Sequence, residues 1–231
     1  MARLASLPLA PHRAKPIRRH AAKAVAPFAA RVVVMVKEPM AGRVKTRLAR
    51  EVGNVRAAAF YRINSAAVLK RLARPGSWLT ELGVTPDRAI SSSMWPARFA
   101  RRAQGGGDLG QRMQRIMDTA PPGPVVVVGT DVPTVKSTHI QAALKALGSH
   151  DAVFGPSPDG GYWLVGLKRR PRVPRAFAQV AWSSCEALRQ TLANLSGLTV
   201  ASIASLADVD EAGDLRAAGS AVGRTILPVV S

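Results

Sequence analysis

An acidic residue follows a short run of valines in the middle of the chain. Val125–Val128 lie between turn residues and are followed by Gly129 and Asp131. A short β-branched run between turn residues predicts a strand buried on both faces of a parallel sheet. Ligands of such sheets bind at the carboxyl ends of the strands, where a carboxylate can hold a divalent metal over phosphate groups. A turn or helix-capping role for Asp131 is the alternative, and the residue types leave both open.

Basic residues are concentrated after a second apolar run. Arg31–Val36 predicts the first strand, and the following loop contains Gly42, Arg43, Lys45 and Arg47. Glycine lets the backbone approach an anion and the basic side chains neutralise it, so this is a candidate phosphate-binding loop. Its spacing matches neither the Walker loop nor the GxGxxG dinucleotide fingerprint. A solvated basic loop without a ligand is the alternative.

A glycine run provides a third candidate segment. Gly105–Gly107 and Asp108 precede a predicted helix that continues through Met117 and contains Arg112. Aspartate is a favourable N-cap, and a glycine run at the start of a helix also leaves room for a nucleotide base or ribose. Both interpretations stay open on the residues alone.

The elements that must position these residues alternate along the chain. This alternation predicts a single Rossmann-like α/β domain, with a mostly parallel central sheet flanked by helices and a β-hairpin near residues 151–167. Strands are predicted at residues 31–36, 78–85, 125–128, 151–156, 162–167, 198–204 and 225–230, and helices at 55–72, 108–117, 139–147, 183–195 and around 214–215.

Composition restricts the class of protein. A chain of 231 residues with 47% hydrophobic residues is long enough for one domain with a full core. It contains no apolar run near the ~20 residues of a membrane span. The single cysteine, Cys185, excludes an internal disulfide and fits a reducing compartment, so we expect a cytoplasmic protein. Residues 1–30 are rich in Ala, Arg and Pro and predict a disordered basic tail before a domain at 31–231.

The net charge of +19 favours anionic ligands such as nucleotides, nucleic acids or acidic membranes. Residues 1–30 hold six of the 33 basic residues, so most of the excess belongs to the predicted domain. Only 5% of the residues are aromatic, and they do not alternate with basic residues as a single-strand stacking platform requires. Nucleic acid is therefore an unfavoured partner.

Five segments, in this order, resemble one uncharacterised family of the glycosyltransferase-A superfamily. They read VVVMVKEPMAGRVKTRL, GGGDLGQRM, VVVVGTDVP, VFGPSPDGGYWLVGL and LADVDEAGDL, and the resemblance extends from about Arg31 to Leu215. Members are described as glycosyltransferases or nucleotide-diphospho-sugar transferases, some associated with radical-SAM, selenium or arsenosugar genes. More distantly, the segments resemble nucleotidyltransferases of molybdenum-cofactor and 2-phospholactate metabolism. The resemblance implies a glycosyltransferase-A domain.

The resemblance also implies residue roles. Asp131, Asp159 and Lys45 are the catalytic candidates, with Asp159 as a base. Asp210 matches the first Asp of a DTPEDL-like segment, but the Thr-Pro is missing here, so Asp208 competes with it, and Asp214 is left to cap or brace a helix. The full implied set is Gly42, Arg43, Lys45, Arg47, Gly107, Asp108 and Arg112 for the nucleotide, Asp159, Gly160, Gly161 and Tyr162 for the sugar or acceptor, and Asp131 and Asp210 for the metal.

The implied activity is transfer of a glycosyl group from a nucleoside diphosphate sugar to a small-molecule acceptor, with Mg²⁺ or Mn²⁺ as cofactor. Transfer of a nucleoside monophosphate from a nucleoside triphosphate to a phosphorylated small molecule is the alternative. Both reactions need a metal and cations where negative charge develops. A non-enzymatic binder of polyanions or nucleic acid is a second alternative, supported by the charge alone.

Overall fold

The computed structural model describes residues 28–73, 77–169 and 172–222. Most of the predicted tail and the predicted strand at 225–230 lie outside these residues. The strands are β1 Arg31–Lys37, β2 Leu79–Thr85, β3 Ala100–Ala103, β4 Val125–Val128, β5 Ala152–Pro156, β6 Tyr162–Leu167 and β7 Val200–Ser202. The helices are α1 Thr46–Val52, α2 Asn54–Leu72, α3 Leu109–Thr119, α4 Ser137–Ala146, α5 Ala187–Ala193 and α6 Ala212–Val222, with a 3₁₀ helix at Asp87–Ser91.

The seven strands of the described part form one mostly parallel sheet in the order β3-β2-β1-β4-β6-β5-β7. β6 is antiparallel to both β4 and β5, and the other neighbouring pairs are parallel. The predicted α/β class is therefore confirmed, as is the hairpin, which β5 and β6 form. The antiparallel strand brings the beginning of β6 to the same edge of the sheet as the carboxyl ends of β1 and β4.

The valine run lies at the centre of this sheet, as predicted. Val125–Val128 are at most 3% exposed. Val126 and Val128 pack into the core on the side of α2 and α4, whereas Val125 and Val127 pack on the side of α3. Because helices cover both faces, every position of β4 is apolar. The first polar side chains, Thr130 and Asp131, come just after the strand ends.

Three local predictions were wrong in their extent. The strand predicted at 198–204 is shorter and covers only Val200–Ser202. The predicted loop after β1 is shorter, because α1 begins at Thr46 with Lys45 as its N-cap residue. The helix predicted from Ser183 begins only at Ala187. The hydroxyl of Ser184 donates to the carbonyl oxygen of Ala181 and closes a turn there, so the serine pair does not cap the helix. Residues 182–185 thereby remain an irregular segment beside the sheet edge.

None of the described helices is long and apolar enough to cross a membrane.

Candidate active site

A cleft of about 770 Å³ opens at the carboxyl edge of β1 and β4. This is the edge at which ligands of open α/β sheets bind. The candidates that line the cleft are Arg43, Lys45, Arg47, Arg112, Asp131, Asp159, Gly161, Tyr162 and Asp210. Gly42, Gly107, Asp108 and Gly160 do not line it. Gly42 lines a neighbouring cleft of about 460 Å³.

Lys45 is the centre of the charged part of the cleft. Its Nζ lies 2.9 Å from Asp131 Oδ1 and 2.8 Å from Asp210 Oδ1. Only 6% of the Lys45 side chain is exposed, against 45% for Asp131 and 39% for Asp210. Arg47 reaches the other oxygen of Asp210 at 3.4 Å from a far more exposed position. Two carboxylates that are far apart in sequence thus meet on one ammonium group.

The ammonium form of Lys45 is favoured by these partners. Burial alone would lower the pKa of Lys45, but the charges of Asp131 and Asp210 outweigh this and raise the pKa above 10.5. Lys45 is therefore a fixed positive charge at neutral pH. Its backbone has φ 48° and ψ 50°, a left-handed conformation that is uncommon for a residue other than glycine.

A backbone contact brings Asp131 and Asp210 together. The amide of Val209 donates to the carbonyl oxygen of Asp131 at 3.0 Å, so the segment before α6 lies along the end of β4. Asp214 accepts hydrogen bonds from the amides of Asp210 and Glu211 and braces the start of α6. The sequence left Asp214 either to cap or to brace a helix, and these hydrogen bonds place it at the start of α6.

Asp208 lines the same cleft. Burial, followed by the charges of nearby carboxylates, raises the pKa of Asp208 above its ordinary value. Its negative charge therefore has a cost in the folded protein. Asp210, rather than Asp208, contacts the ammonium of Lys45.

The donor set of the cleft fits a hard divalent cation. Asp131 Oδ1 is buried and contacts the ammonium without the geometry of a hydrogen bond. In the described ranges, no cluster of three or more His, Cys, Asp or Glu residues is arranged to hold a metal. A metal bound here would have carboxylate ligands from Asp131 and Asp210 and would need phosphate oxygens and water to complete its shell. Mg²⁺ is commonly bound in this way.

Two residues of α2 that sequence analysis missed hold the end of β4. Asn64 donates to the carbonyl oxygen of Thr130 at 2.6 Å, and the Thr130 hydroxyl contacts the Tyr61 hydroxyl at 3.2 Å. The amide of Lys37 at the end of β1 donates to the same Tyr61 oxygen at 2.8 Å. Burial, together with the charge of Asp131, raises the pKa of Tyr61. These two roles could have been suspected from the sequence, because Tyr61 and Asn64 are polar residues three positions apart on the inward face of α2.

The glycine run is organised around the start of α3. Asp108 caps this helix, because its side chain accepts from the Gln111 amide at 2.8 Å while the Gln111 side chain accepts from the Asp108 amide at 3.0 Å. Gly107 has φ 98°, and a Cβ there would lie 2.1 Å from Gln111 Oε1. Arg112 lines the cleft and donates to the buried Gln104 side chain at 3.3 Å. From this segment the fold presents Arg112 to the cleft and uses Gly107 and Asp108 in the cap.

The β5–β6 turn forms another part of the cleft lining. The Asp159 side chain accepts from the Gly161 amide at 2.9 Å. Gly160 has φ 85°, and a Cβ there would lie 2.1 Å from the carbonyl oxygen of Cys185, so glycine is required by this close approach. Tyr162 packs edge-on against Trp182 with ring centroids 6.4 Å apart. Trp182 also lines the cleft, but its neighbours in the sequence gave no indication that it would be part of the site.

The chain is similar to proteins from several bacteria. Residues 68–184 match the family described as "Uncharacterized protein conserved in bacteria (DUF2064)". The structure of a candidate nucleotide-diphospho-sugar transferase from Desulfovibrio desulfuricans is 29% identical, with 85% of this chain and 88% of that chain covered and a TM-score of 0.76. No match was found among curated proteins.

Two other solved structures share the fold at low identity. The 4-diphosphocytidyl-2C-methyl-D-erythritol synthase of Anaerococcus prevotii is 11% identical over 85% of this chain and 96% of that chain, with a TM-score of 0.54. Rv0371c of Mycobacterium tuberculosis is 14% identical over 83% and 97%, with a TM-score of 0.53. The chain has the fold of nucleotide-diphospho-sugar transferases and belongs to the DUF2064 family of bacterial proteins.

Proposed function

We propose that the protein is a metal-dependent transferase that moves a glycosyl group from a nucleoside diphosphate sugar to a small-molecule acceptor. The observation that carries this proposal is the contact of Lys45 with both Asp131 and Asp210 at the carboxyl edge of the sheet. A cation flanked by two carboxylates, with further arginines on the cleft wall, is suited to a diphosphate and a divalent metal together. The similarity to the Desulfovibrio desulfuricans protein supports the same class of donor.

The charged residues would hold the diphosphate. Lys45 and Arg47 would bind its oxygens, and Arg43 and Arg112 line the same cleft and add positive charge. A divalent metal, Mg²⁺ or Mn²⁺, held by Asp131 and Asp210, would stabilise the charge that develops on the leaving diphosphate. These residues act on the leaving group, because that is where negative charge grows during transfer.

The residues of the β5–β6 turn would receive the sugar and the acceptor. In the proposed reaction an acceptor oxygen forms a bond to the anomeric carbon, while the bond from that carbon to the diphosphate breaks. Asp159, which also lines the cleft, would take the acceptor proton. Gly161 and Tyr162 lie next to it, and the Gly161 amide fixes one oxygen of its carboxylate. The products are the glycosylated acceptor and a nucleoside diphosphate.

Nucleotidyl transfer makes similar demands on the charged residues, because pyrophosphate would leave from the place where a diphosphate would otherwise leave. A substrate phosphate would then attack the α-phosphorus of a nucleoside triphosphate. The two reactions differ in their products, so product analysis separates them. A binder of polyanions without activity would give neither product.

The test is a thermal-shift screen of nucleoside diphosphates, nucleoside triphosphates and nucleotide sugars, each with and without Mn²⁺ or Mg²⁺. A ligand at ~100 times its dissociation constant should add about 2.7 kcal/mol of stability. The best ligand is then incubated with the protein, and released nucleoside diphosphate and pyrophosphate are measured separately. Metal-dependent release of nucleoside diphosphate from a nucleotide sugar supports the proposal. Release of pyrophosphate from a triphosphate would replace it with nucleotidyl transfer.

A matched pair of variants tests whether this cleft is the site. Lys45→Ala removes the central cation, whereas Lys145→Ala removes an exposed lysine of α4 and changes the net charge equally. Loss of one charged hydrogen bond is expected to weaken nucleotide binding by about 1.5–3 kcal/mol in the first variant only. Equal nucleotide affinity in the two variants, measured by calorimetry, would remove Lys45 from the site.

A further inference from the structure

The ammonium of Lys45 lies where a metal between Asp131 and Asp210 would have to make its contacts. We propose that the protein binds its divalent metal only together with a diphosphate group, because Lys45 stays paired with both carboxylates until a phosphate draws its ammonium away. This inference rests on the proposed function in taking the ligand to contain a diphosphate. It adds that the metal is not a resident ion of the free protein.

The geometry makes metal and ammonium competitors. Lys45 Nζ lies 2.9 Å from Asp131 Oδ1 and 2.8 Å from Asp210 Oδ1. A Mg²⁺ ion sits ~2.0–2.1 Å from its oxygen ligands. An ion on these two oxygens would therefore lie very close to the ammonium, and two positive charges at such a separation in a partly buried cleft repel strongly.

The charge count points the same way. Two carboxylates without a counter-ion offer a metal two negative charges, but the buried ammonium cancels one of them. Arg47, 3.4 Å from the second oxygen of Asp210, opposes the metal further. Because metal affinity depends strongly on the number of charged ligands, the free protein should hold a divalent ion weakly.

A diphosphate can end the competition between the Lys45 ammonium and the metal. An ammonium group has three N–H donors; one of them donates to Asp210 Oδ1, and the close contact with Asp131 lacks hydrogen-bond geometry, so donors remain for a phosphate. Some oxygens of the diphosphate can accept hydrogen bonds from the ammonium, and other oxygens of the same group can then serve as metal ligands. The backbone of Lys45 is fixed at the N-cap of α1, whereas its four-carbon side chain is flexible, so the exchange requires movement of the side chain only.

The first measurement uses Mn²⁺ alone, followed by electron paramagnetic resonance of the free ion, on the full chain. Lys45→Met keeps most of the side-chain volume but removes the charge. It should bind Mn²⁺ about tenfold more tightly than the wild type, or more, since the carboxylates regain a full negative charge. Lys145→Met, on the exposed side of α4, makes the same change in net charge and should bind Mn²⁺ like the wild type.

A second comparison tests whether the higher Mn²⁺ affinity of Lys45→Met depends on the two carboxylates. The double variant Lys45→Met with Asp131→Asn should lose the tighter Mn²⁺ binding. If Lys45→Met binds Mn²⁺ no more tightly than Lys145→Met, or if the gain survives in the double variant, the proposal is overturned.

The wild-type protein gives a test that needs no variant. Water-proton relaxation distinguishes Mn²⁺ bound to protein from Mn²⁺ bound to pyrophosphate in solution. Pyrophosphate, which has the diphosphate group and neither base nor sugar, should strengthen the binding of Mn²⁺ to the wild type at least about tenfold. Equal Mn²⁺ affinity with and without pyrophosphate would mean that the metal is resident, which overturns the proposal.

These results separate the inference from the proposed function. Coupled binding of Mn²⁺ and pyrophosphate without turnover of any nucleotide sugar would support the inference and contradict glycosyl transfer. Metal-dependent turnover with uncoupled Mn²⁺ binding would support glycosyl transfer and overturn the inference.

Discussion

Asp131→Asn is the substitution that tests most directly whether the end of β4 serves a ligand. The change keeps the shape of the side chain and one neutral oxygen but removes the charge. A capping residue would tolerate it, because Asn and Asp cap helices about equally well. Asp131 is not at such a position, since α4 begins at Ser137 with Lys136 as its N-cap residue. We therefore expect loss of ligand binding with little loss of stability.

The structure sets the size of both effects. Lys45 keeps its contact with Asp210 at 2.8 Å, so the variant leaves no unpaired buried charge. The Asp131 side chain is 45% exposed, so solvent screens its ion pair with Lys45, and loss of the pair should cost on the order of 1 kcal/mol. For the ligand, one charged contact is worth about 1.5–3 kcal/mol, which corresponds to an affinity roughly 10- to 150-fold weaker.

The assay is calorimetric titration of nucleotide in the presence and absence of Mn²⁺, with circular dichroism and urea denaturation as folding controls. The wild type should bind more tightly with Mn²⁺, and the variant should lose most of that difference. A variant that folds normally and keeps the full Mn²⁺ dependence would refute the metal role of Asp131. Loss of folding itself would refute the assignment of a surface ligand-binding role.

Three further predictions concern other parts of the chain. Arg47→Ala should weaken nucleotide binding by about 1.5–3 kcal/mol but leave stability within ~0.5 kcal/mol, because its side chain is 58% exposed; urea denaturation and calorimetry check the two parts. Burial and neighbouring charges raise the pKa of Asp208 above 3.8, so ionisation of Asp208 destabilises the folded state. Asp208→Asn should therefore raise the melting temperature at pH 7. This gain should vanish below pH 3.8, where Asp208 is protonated in both the folded and the unfolded protein. Deleting residues 1–27, which are Pro-rich and acid-free, should leave folding and nucleotide binding intact, and an insoluble or non-binding product would contradict this.

The fold was predictable because its strongest signals are local. Four adjacent valines bounded by turn residues can be buried only by covering both faces of the strand, and that requirement already implies a parallel sheet with helices on both sides. The short strand β3, Ala100–Ala103, was not predicted. Its sequence, Ala-Arg-Arg-Ala, does not have the alternation of apolar and polar residues that marks a strand. The strand is held in the sheet in part by an ion pair between Arg102 and the buried Glu81 of the neighbouring strand β2. Such a strand depends on a tertiary contact that the local sequence does not contain.

The sequence allowed individual candidate residues to be selected, but it did not show how they are arranged. Asp131 and Lys45 could be selected by type and by their position after apolar runs. That Lys45 would lie between two carboxylates follows from the left-handed turn before α1 and from the Val209 amide bonded to the end of β4. The roles of Tyr61 and Asn64 depend on how α2 lies over the sheet edge. Contacts of this kind join residues that are distant in the chain, so no local pattern reports them.

If the protein binds a metal and a diphosphate as proposed, the arrangement around Lys45 also gives the acidic residues at this edge a role in a basic protein. With 33 basic and 14 acidic residues, the chain attracts any phosphate compound over a long range. Attraction of this kind does not distinguish a diphosphate from other polyanions. Asp131 and Asp210 would repel an anion that arrives without a cation, whereas a diphosphate that brings a metal would satisfy both the carboxylates and the ammonium. Selectivity in this cleft would therefore come from its acidic residues and affinity from its basic ones.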